Sequence, residues 1–419
     1  MDSDRINICV NSEIGKLRDV LVHLPGQEIE NMAPENAHEL LYSDILSKQV
    51  AQKEFRYFKK VLQKVARVHE VTDLLEFVLT DEKIKNNLVD NVCKAESAPY
   101  IADYLKGLDS KELARQLIEG VSVEGISFIN NKRYILPPLP NLYFMRDASV
   151  TMFDNIILCN MATKVRMREV AILETIYKYH PLFMANTVNP VNLYSSNALG
   201  SVEGGDVLIA RDDIILCGIG SRTNTHGMQA LVEHLKTKPG VKHLIMQELP
   251  HAPESFIHLD MVFTMLDVNY CMVYEPVILK DNDLKTFHIT IDGQKAVGRE
   301  ETNLVTALSG LGIDLTPICC GGQDNGYYPA REQWHSGCNF FCFEPGKFIG
   351  YARNLHTIEE INSYGFEVLT ASDVATGQVD VNDYKKCVVT LDSNELVRGG
   401  GGARCMTMPL SRQIVDWGK

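Results

Sequence analysis

The sequence has little that would tie it to membranes or nucleic acids. No apolar run approaches the roughly 20 residues that a membrane-spanning helix requires. The first residues lack the basic start and apolar stretch of a signal peptide. Basic residues are outnumbered, 41 Lys and Arg against 54 Asp and Glu, which gives a net charge of -13. This charge argues against nucleic-acid and anionic membrane partners, but an acidic pocket would attract a small cationic substrate. We expect a cytoplasmic protein.

Strong zinc and nucleotide motifs are also missing. The eleven cysteines are scattered, odd in number and without a CxxC pair. Cys319-Cys320 and the CxxxC spacing of Cys338 and Cys342 are weak zinc signals, so all but one cysteine are interpreted as reduced core thiols. The glycine run 399–402 lacks the Gly-Lys-Ser/Thr ending of a P-loop and is not a GxGxxG motif. Nucleotide binding is therefore not expected.

The remaining pattern is one of repeated hairpins. Alternating apolar residues around an acidic or glycine turn predict hairpins at 150–158, 207–216, 261–273 and 340–351. A fifth pair could form between 17–23 and 406–410, near the two ends of the chain. Amphipathic helices are predicted between the hairpins, at 164–179 and 224–236. Hairpin-plus-helix units favour a radial or stacked repeat, although their irregular spacing leaves an ordinary α+β sheet open.

A helical block interrupts this pattern. Apolar residues at helical spacing predict helices at 46–68, 81–93, 99–105 and 109–119. Asp109 with Glu112 resembles a capping box at the start of the last of these. We expect one catalytic domain over residues 1–419, with an inserted helical bundle at about 70–130.

Cys405 stands in a context that predicts a nucleophile. It follows four consecutive glycines, Ala403 and Arg404. Glycines let the backbone approach a ligand closely. A thiol attacks only as its thiolate, which a nearby cation favours. The tail is therefore predicted to form the nucleophile end of an active site.

His258 and Asp260 begin an apolar run. In a strand, residues two apart share a face, so both side chains would point the same way at the mouth of a sheet. Such a polar pair suits a catalytic site. The alternative is a histidine that forms a salt bridge at a strand end.

Acidic residues recur before hairpins. Asp147 precedes the first, after a stiff proline-rich approach, and Glu203-Gly-Gly-Asp206 precedes the second. Asp260 stands before the third. Each alone could be a turn or a solvated acid, but their repetition favours a shared central cleft.

Three arginines lie near these acids in the sequence. Arg166, Arg168 and Arg222 could hold a carboxylate through paired hydrogen bonds. Arginines on such helices and loops are more often solvent-facing, so the pattern alone leaves both interpretations open.

Taken together, the motifs are similar to those of the arginine deiminase family, within the guanidine-modifying superfamily. The matching segments are His23-Leu-Pro-Gly26, Glu30-Asn31, Pro34-Glu-Asn36, Leu139–Asp147, Glu203-Gly-Gly-Asp206, Gly218–Arg222, His258-Leu-Asp260, Arg331–Trp334 and Gly402–Met406. Two departures stand out: Met145 replaces the usual threonine, and His335 and Ser336 stand where acidic residues are common.

The resemblance implies a fold and a reaction. The fold is an α/β propeller of five ββαβ-like units around a central pocket, with the helical block as an inserted bundle. The reaction is the hydrolysis of L-arginine to L-citrulline and ammonia, with water as co-substrate and without a metal or organic cofactor. We also expect a homo-oligomer, a dimer or a tetramer.

The resemblance also implies residue roles. Cys405 would attack the guanidinium carbon, His258 would transfer protons with Glu203 orienting it, and Asp147 and Asp260 would bind the guanidinium edges. The residues expected to bind the rest of the substrate or support the thiolate are Asn141, Phe144, Arg166, Arg222, Gly401 and Arg404.

Other activities remain open at this point. Agmatine deiminases, dimethylarginine hydrolases and amidinotransferases use similar Cys/His/acid sets. Agmatine lacks a carboxylate, so Arg166 and Arg222 would then have other roles. A catalytically inactive binding protein for cationic amino acids is a further alternative, against which the complete catalytic set argues.

Overall fold

The computed structural model describes residues 5–123, 133–183, 185–194, 199–323 and 326–418. Among these residues the chain forms twenty strands. In chain order they are β1 (Leu17–Val22), β2 (Arg67–Glu70), β3 (Val121–Ser122), β4 (Tyr134–Leu136), β5 (Ser149–Met152), β6 (Asn155–Leu158), β7 (Thr187–Val188), β8 (Val207–Arg211), β9 (Ile214–Ile219), β10 (Lys242–Glu248), β11 (Phe263–Met265), β12 (Tyr270–Val273), β13 (Thr286–Asp292), β14 (Lys295–Glu301), β15 (Thr316–Cys319), β16 (Phe341–Glu344), β17 (Lys347–Tyr351), β18 (Glu367–Thr370), β19 (Cys387–Leu391) and β20 (Met408–Arg412).

Fifteen α-helices accompany these strands in the described part of the chain. They are α1 (Gln27–Glu30), α2 (Lys48–Val65), α3 (Val71–Val78), α4 (Glu82–Ala95), α5 (Ala102–Lys106), α6 (Ser110–Glu119), α7 (Met145–Ala148), α8 (Met167–Tyr179), α9 (Pro190–Tyr194), α10 (Thr225–Leu235), α11 (Glu275–Ile278), α12 (Leu304–Ser309), α13 (Tyr328–Trp334), α14 (Leu355–Ser363) and α15 (Ala371–Thr376). None of them combines the length and apolar content needed to cross a membrane.

Five sheets share one pattern, an antiparallel pair with a further strand that runs parallel to one member of the pair. The antiparallel pairs are β1–β20, β5–β6, β8–β9, β11–β12 and β16–β17, and the parallel strands are β2, β7, β10, β15 and β19. All five predicted hairpins or end-to-end pairs are therefore confirmed. The sheets are separate, and no described sheet closes on itself.

The ends of the chain meet in one sheet. Val20 in β1 lies opposite Pro409 in β20, and Leu21 lies opposite Met408. These apolar residues are buried because β20 also packs against β5. This pairing fixes the segment that immediately precedes β20, where Cys405 lies.

Four helices, α3 to α6, lie between Val71 and Glu119. Helices α3 to α6 share a core of Leu, Val and Ile side chains with α8. Asp81 caps α4, and Asp109 caps α6 by accepting the amide of Glu112 at 2.8 Å, as one half of the predicted capping box requires. The predicted block ends at 130, and its residues 124–130 lie outside the described residues.

Candidate active site

A cavity of about 510 Å³ brings residues from distant parts of the chain together. Among the predicted site residues, its lining contains Asn141, Phe144, Asp147, Arg166, Arg222, His258, Gly401 and Cys405. The lining does not include Glu203, Asp260 or Arg404. Behind the wall, Glu203 contacts His258, Asp260 contacts Cys405, and Arg404 contacts Asp260. The predicted shared cleft is thus present, with two of the five catalytic candidates as its second layer.

Cys405 is held in place by Asn339. The Nδ2 of Asn339 donates to Cys405 Sγ at 3.2 Å, and its Oδ1 accepts the amides of Arg404 and Cys405 at 3.0 and 3.1 Å. The amide of Arg146 donates to the Cys405 carbonyl. The turn that carries the thiol is therefore fixed from two sides, by Asn339, which stands two residues before β16, and by α7.

The glycine run shapes the approach to the thiol. Gly400 has φ +86°, a left-handed conformation that only glycine adopts without cost. The carbonyl of the next residue, Gly401, accepts the hydroxyl of Tyr351 at 2.8 Å. These contacts place the 399–401 backbone along the cavity wall.

His258 and Asp260 do not lie in a strand, so the predicted basis for their common face was wrong. Residues 259–261 form a short 3-10 turn, and His258 is the extended residue that precedes it. Asp206 fixes this turn, because its Oδ1 accepts the Leu259 amide at 2.9 Å. The turn still delivers the imidazole and the carboxylate to one site.

His258 sits in an acidic environment. Its Nε2 lies 2.9 Å from Glu203 Oε2, and its Nδ1 lies 3.6 Å from Asp147 Oδ1. Burial opposes the charged imidazole, but Asp147 and Glu203 outweigh it and raise the pKa of His258 to about 9. Burial also works against the Glu203 carboxylate, whose pKa nevertheless falls to about 2 because of His258. The pair is therefore a buried imidazolium–carboxylate pair at neutral pH.

The imidazole also has a close backbone neighbour. A Cβ on Gly205 would lie 2.5 Å from His258 Cγ, closer than any real side-chain contact. The close approach of the backbone to the imidazole therefore requires a glycine at position 205.

Asp147 is bound by Arg166. Arg166 Nη1 donates to Asp147 Oδ2 at 2.6 Å, while its Nε and Nη2 donate to Glu169. Asp147 Oδ1 has no hydrogen-bond partner within the described residues although it is buried. A buried carboxylate oxygen without a donor is well suited to bind a cationic N–H group.

Asp260 is bound by Arg404 in the same way. Arg404 Nη1 donates to Asp260 Oδ2 at 2.7 Å, and its Nε donates to Glu13 at 2.9 Å. The Oδ2 atom of Asp260 also lies 3.7 Å from Cys405 Sγ. Arg404 is thus a buried partner of two carboxylates rather than a group that lines the cavity.

The thiol itself is not activated by this environment. Burial, then Asp260 and Asp147, raise the pKa of Cys405 well above its usual range, and the lowering influence of Arg404 is smaller. The free protein therefore holds Cys405 as a thiol, because the influence of Arg404 does not offset burial and the two carboxylates.

The remaining predicted residues lie along the wall. Asn141 donates to the carbonyl of Leu40 at 2.7 Å, and Phe144 stacks on Tyr143 with ring centroids 4.1 Å apart. Arg222 approaches Glu203 at 3.9 Å. Of the two departures from the family pattern, Met145 is buried in α7, whereas His335 lines the cavity.

Four residues of the site were missed by the sequence interpretation: Glu13, Glu169 and Asn339, and Asp206 as the support of the His258 turn. Asn339 precedes a hairpin, as Asp147 and Asp206 do, so this position was a usable signal. Glu13 is 391 positions from Arg404, and nothing in its local sequence indicates that contact.

One atom each of Asp147, Glu203 and His258 lies within 4.8 Å of the others, a spacing that could hold a metal ion. Metal ligation requires a neutral imidazole. The raised pKa of His258 works against this, so the arrangement favours a protonated histidine over a metal ligand.

Comparison with known proteins identifies the family. The profile described as arginine deiminase matches residues 100–412. An arginine deiminase of Listeria monocytogenes serotype 4b is 32% identical over 96% of this chain and 97% of its own length. The chain belongs to the arginine deiminase family. An arginine deiminase of Oenococcus oeni, 29% identical, covers 99% of this chain and 100% of its own.

Solved structures of more distant proteins share the fold. SxtG, an amidinotransferase from Microseira wollei, has a TM-score of 0.55 at 13% identity, with 98% of both chains covered. The N-terminal domain of ArgZ, solved with a covalently bound reaction intermediate, has a TM-score of 0.52 at 13% identity and covers 95% of this chain and 99% of its own. This likeness shows that the chain shares the α/β fold of these two proteins.

Proposed function

We propose that this arginine deiminase family member hydrolyses L-arginine to L-citrulline and ammonia through a covalent intermediate on Cys405. The observation that supports this most directly is the position of Cys405 Sγ, 3.7 Å from Asp260 in a cavity that also exposes Asp147 and His258. A nucleophile, two carboxylates and a protonated imidazole are the groups that guanidinium hydrolysis needs.

Binding of the substrate activates the nucleophile. The planar guanidinium donates to Asp147 Oδ1 and to the face of Asp260 that Arg404 leaves open, as charge-assisted hydrogen bonds. Its positive charge offsets the two carboxylates that hold the thiol protonated. The pKa of Cys405 then falls, the thiol releases its proton to solvent, and the thiolate forms next to the carbon that it attacks.

The first half-reaction releases ammonia. The Cys405 sulfur forms a bond to the guanidinium carbon, and one C–N bond breaks as the departing nitrogen takes a proton from His258. The charge on His258 makes this step possible at neutral pH, because Asp147 and Glu203 keep its pKa at about 9. An amidino-thioether remains on Cys405.

Water completes the reaction. His258, now neutral, takes a proton from a water molecule, and the hydroxide attacks the amidino carbon. The C–S bond then breaks as the hydroxyl proton of this intermediate passes to the leaving sulfur, which regenerates the thiol of Cys405. The products are citrulline and ammonia, with no metal or organic cofactor.

We assign the substrate carboxylate to Arg222. Arg166 is already committed to Asp147 and Glu169, whereas Arg222 reaches Glu203 only at 3.9 Å and lines the cavity. Arg166 would then act mainly by orienting Asp147, with Asn141, Phe144 and Gly401 bordering the aliphatic arm.

A substrate panel separates this proposal from its alternatives. Citrulline and ammonia are measured with arginine, agmatine and methylated arginines, for the wild type and for Arg222→Ala. We expect arginine to be preferred and Arg222→Ala to lower kcat/KM for arginine roughly tenfold or more, with much less effect on agmatine. Equal losses for both substrates would contradict the assignment of Arg222. Turnover of agmatine or of methylated arginine alone would favour another branch of the superfamily.

Replacement of the nucleophile tests the covalent step. Cys405→Ser should lower citrulline formation about a thousandfold or more while calorimetry still detects arginine binding. Cys9→Ser, a half-buried thiol outside the cavity, is the matched control and should keep full activity. Retained turnover in Cys405→Ser would remove the nucleophile from the proposal, and binding without turnover in the wild type would favour the inactive binding protein.

We also propose that the five sheet units surround this cavity as a propeller, and that the protein acts in the cytoplasm. The first is supported by the shared strand pattern of the five sheets. The second is supported by the eleven cysteines, all of which are unpaired.

A further inference from the structure

The strand β14 forms an exposed sheet edge in the described part of the chain. β14 ends the five-stranded sheet β14-β13-β10-β9-β8. Its first six residues are exposed and its seventh is half-buried. Its pairing with β13 has no bulge between the pair Asp292 and Lys295 and the pair Thr286 and Glu301. The strand β14 contains no proline. Proteins usually protect such an edge, because its free N–H and C=O groups can pair with another chain.

The turn that precedes β14 determines which of its backbone groups face β13 and which face the open edge. Asp292 and Lys295 flank a two-residue connection that begins with Gly293 at φ +55°, as in the primed hairpin turns. The flanking pair of such a turn is hydrogen-bonded, so positions 295, 297, 299 and 301 face β13. The backbone groups of Ala296, Gly298 and Glu300 therefore point to the open edge.

These three residues are symmetric about Gly298. An antiparallel pairing of β14 with a second copy, centred on Gly298, places Ala296 opposite Glu300 of the other copy in hydrogen-bonded positions. Among antiparallel registers, this one overlaps all seven residues. It also brings no side chain to the two-fold axis.

The same register makes the charges complementary. It places Lys295 of each copy opposite Glu301 of the other, once at each end of the paired strands. Opposite charges directly across two strands stabilise their pairing, whereas like charges destabilise it. Lys295 is exposed and Glu301 retains part of its exposure, although Glu301 also accepts Arg299 Nε at 2.7 Å.

We propose that two copies of this chain associate through their β14 strands, centred on Gly298, to form one ten-stranded sheet. The paired surface is self-complementary, as a two-fold interface must be. This surface belongs to the β13–β14 hairpin and not to the strands that adjoin the site residues. This proposal is independent of the catalytic reaction.

Charge reversal tests the pairing. The association state is measured by sedimentation over a range of protein concentrations. We expect a concentration-dependent dimer, or a tetramer that falls to dimers in the variants. Lys295→Glu or Glu301→Lys should weaken the association roughly tenfold, and the double variant Lys295→Glu/Glu301→Lys should recover most of the loss. Lys53→Glu, an exposed charge reversal on α2, is the matched control and should leave association unchanged.

Amide hydrogen exchange locates the contact. The amides of Ala296, Gly298 and Glu300 should exchange slowly in the associated wild type and fast in Lys295→Glu. The amides of Val297 and Arg299, which bond to β13, should stay protected in both and so report an intact hairpin. A wild type that is monomeric, an oligomer indifferent to Lys295→Glu, or fast exchange at 296, 298 and 300 in the oligomer would each overturn the proposal.

Discussion

At the scale of single residues, the site is built from pairs of opposite charges. Two arginines each bind two acids, one of which is a carboxylate proposed to bind the substrate guanidinium. Arg166 bridges Asp147 and Glu169, and Arg404 bridges Asp260 and Glu13. Such a bridge fixes the orientation of a carboxylate, and the second acid offsets the arginine charge. Asp147 and Asp260 are thereby oriented while they remain able to bind a further cation.

The same arrangement predicts the pH dependence of the reaction. Glu203→Gln removes one of the charges that raise the pKa of His258 to about 9, but a glutamine can still accept the Ala162 amide that Glu203 now binds. Because the reaction uses the protonated imidazole, kcat/KM of the wild type should decline as pH rises through about 9. In the variant the decline should begin at lower pH, and activity near neutral pH should fall about tenfold or more.

Full pH–rate profiles check this prediction. Glu174→Gln, an exposed carboxylate on α8, is the control and should leave the profile unchanged. An alkaline limb that stays in place in Glu203→Gln would mean that His258 is not the group that titrates there.

At the scale of elements, the sequence predicts what is periodic and local. Alternation around acidic turns identified the hairpins, and the pairing of β1 with β20 followed from two apolar segments near the chain ends. The 259–261 turn was not predicted, because a segment of three residues is too short to show a repeating pattern of apolar residues. The β13–β14 hairpin was not predicted, although its Asp292-Gly293 dipeptide is a hairpin signal.

Helix α2 supports the cavity mouth from outside the sheets. The Glu54 carboxylate on α2 accepts the amides of Asn394, Glu395 and Leu396, the segment that leads to the glycine run. Asn394 and Val397 line the cavity. The Glu54 carboxylate is therefore one of the groups that hold this wall in position.

Removal of that carboxylate should affect substrate binding more than chemistry. In Glu54→Ala three amides lose a charged acceptor, which should destabilise the fold by about 1–3 kcal/mol and raise KM for arginine severalfold, while kcat changes less. Lys53→Ala, the exposed neighbour on the same helix, is the control for any general effect on α2. The measurements are steady-state kinetics and urea unfolding; an unchanged KM together with a lower stability would show that the segment keeps its position without Glu54.

At the scale of the whole molecule, the site depends on contacts between remote parts of the chain. Glu13 meets Arg404 across 391 positions, Asn339 meets Cys405 across 66, and Glu203 meets His258 across 55. No local pattern contains such distances, which is why the sequence indicated the groups proposed to be catalytic but not Glu13 or Asn339 as their partners. The same distribution means that the site exists only when the sheets are assembled.

Loss of activity on heating should therefore coincide with global unfolding. Leu410 in β20 is fully buried in the core shared by the first sheets and the helical bundle, and it does not line the cavity. Leu410→Ala should lower the free energy of unfolding by about 2–5 kcal/mol without changing kcat per folded molecule at low temperature. Ile414→Ala, whose side chain is 78% exposed, should change neither quantity.

Far-UV circular dichroism and residual citrulline formation, followed over the same temperatures, should fall together in all three proteins. Activity that disappears well below the unfolding transition would show instead that the cavity opens as an independent unit.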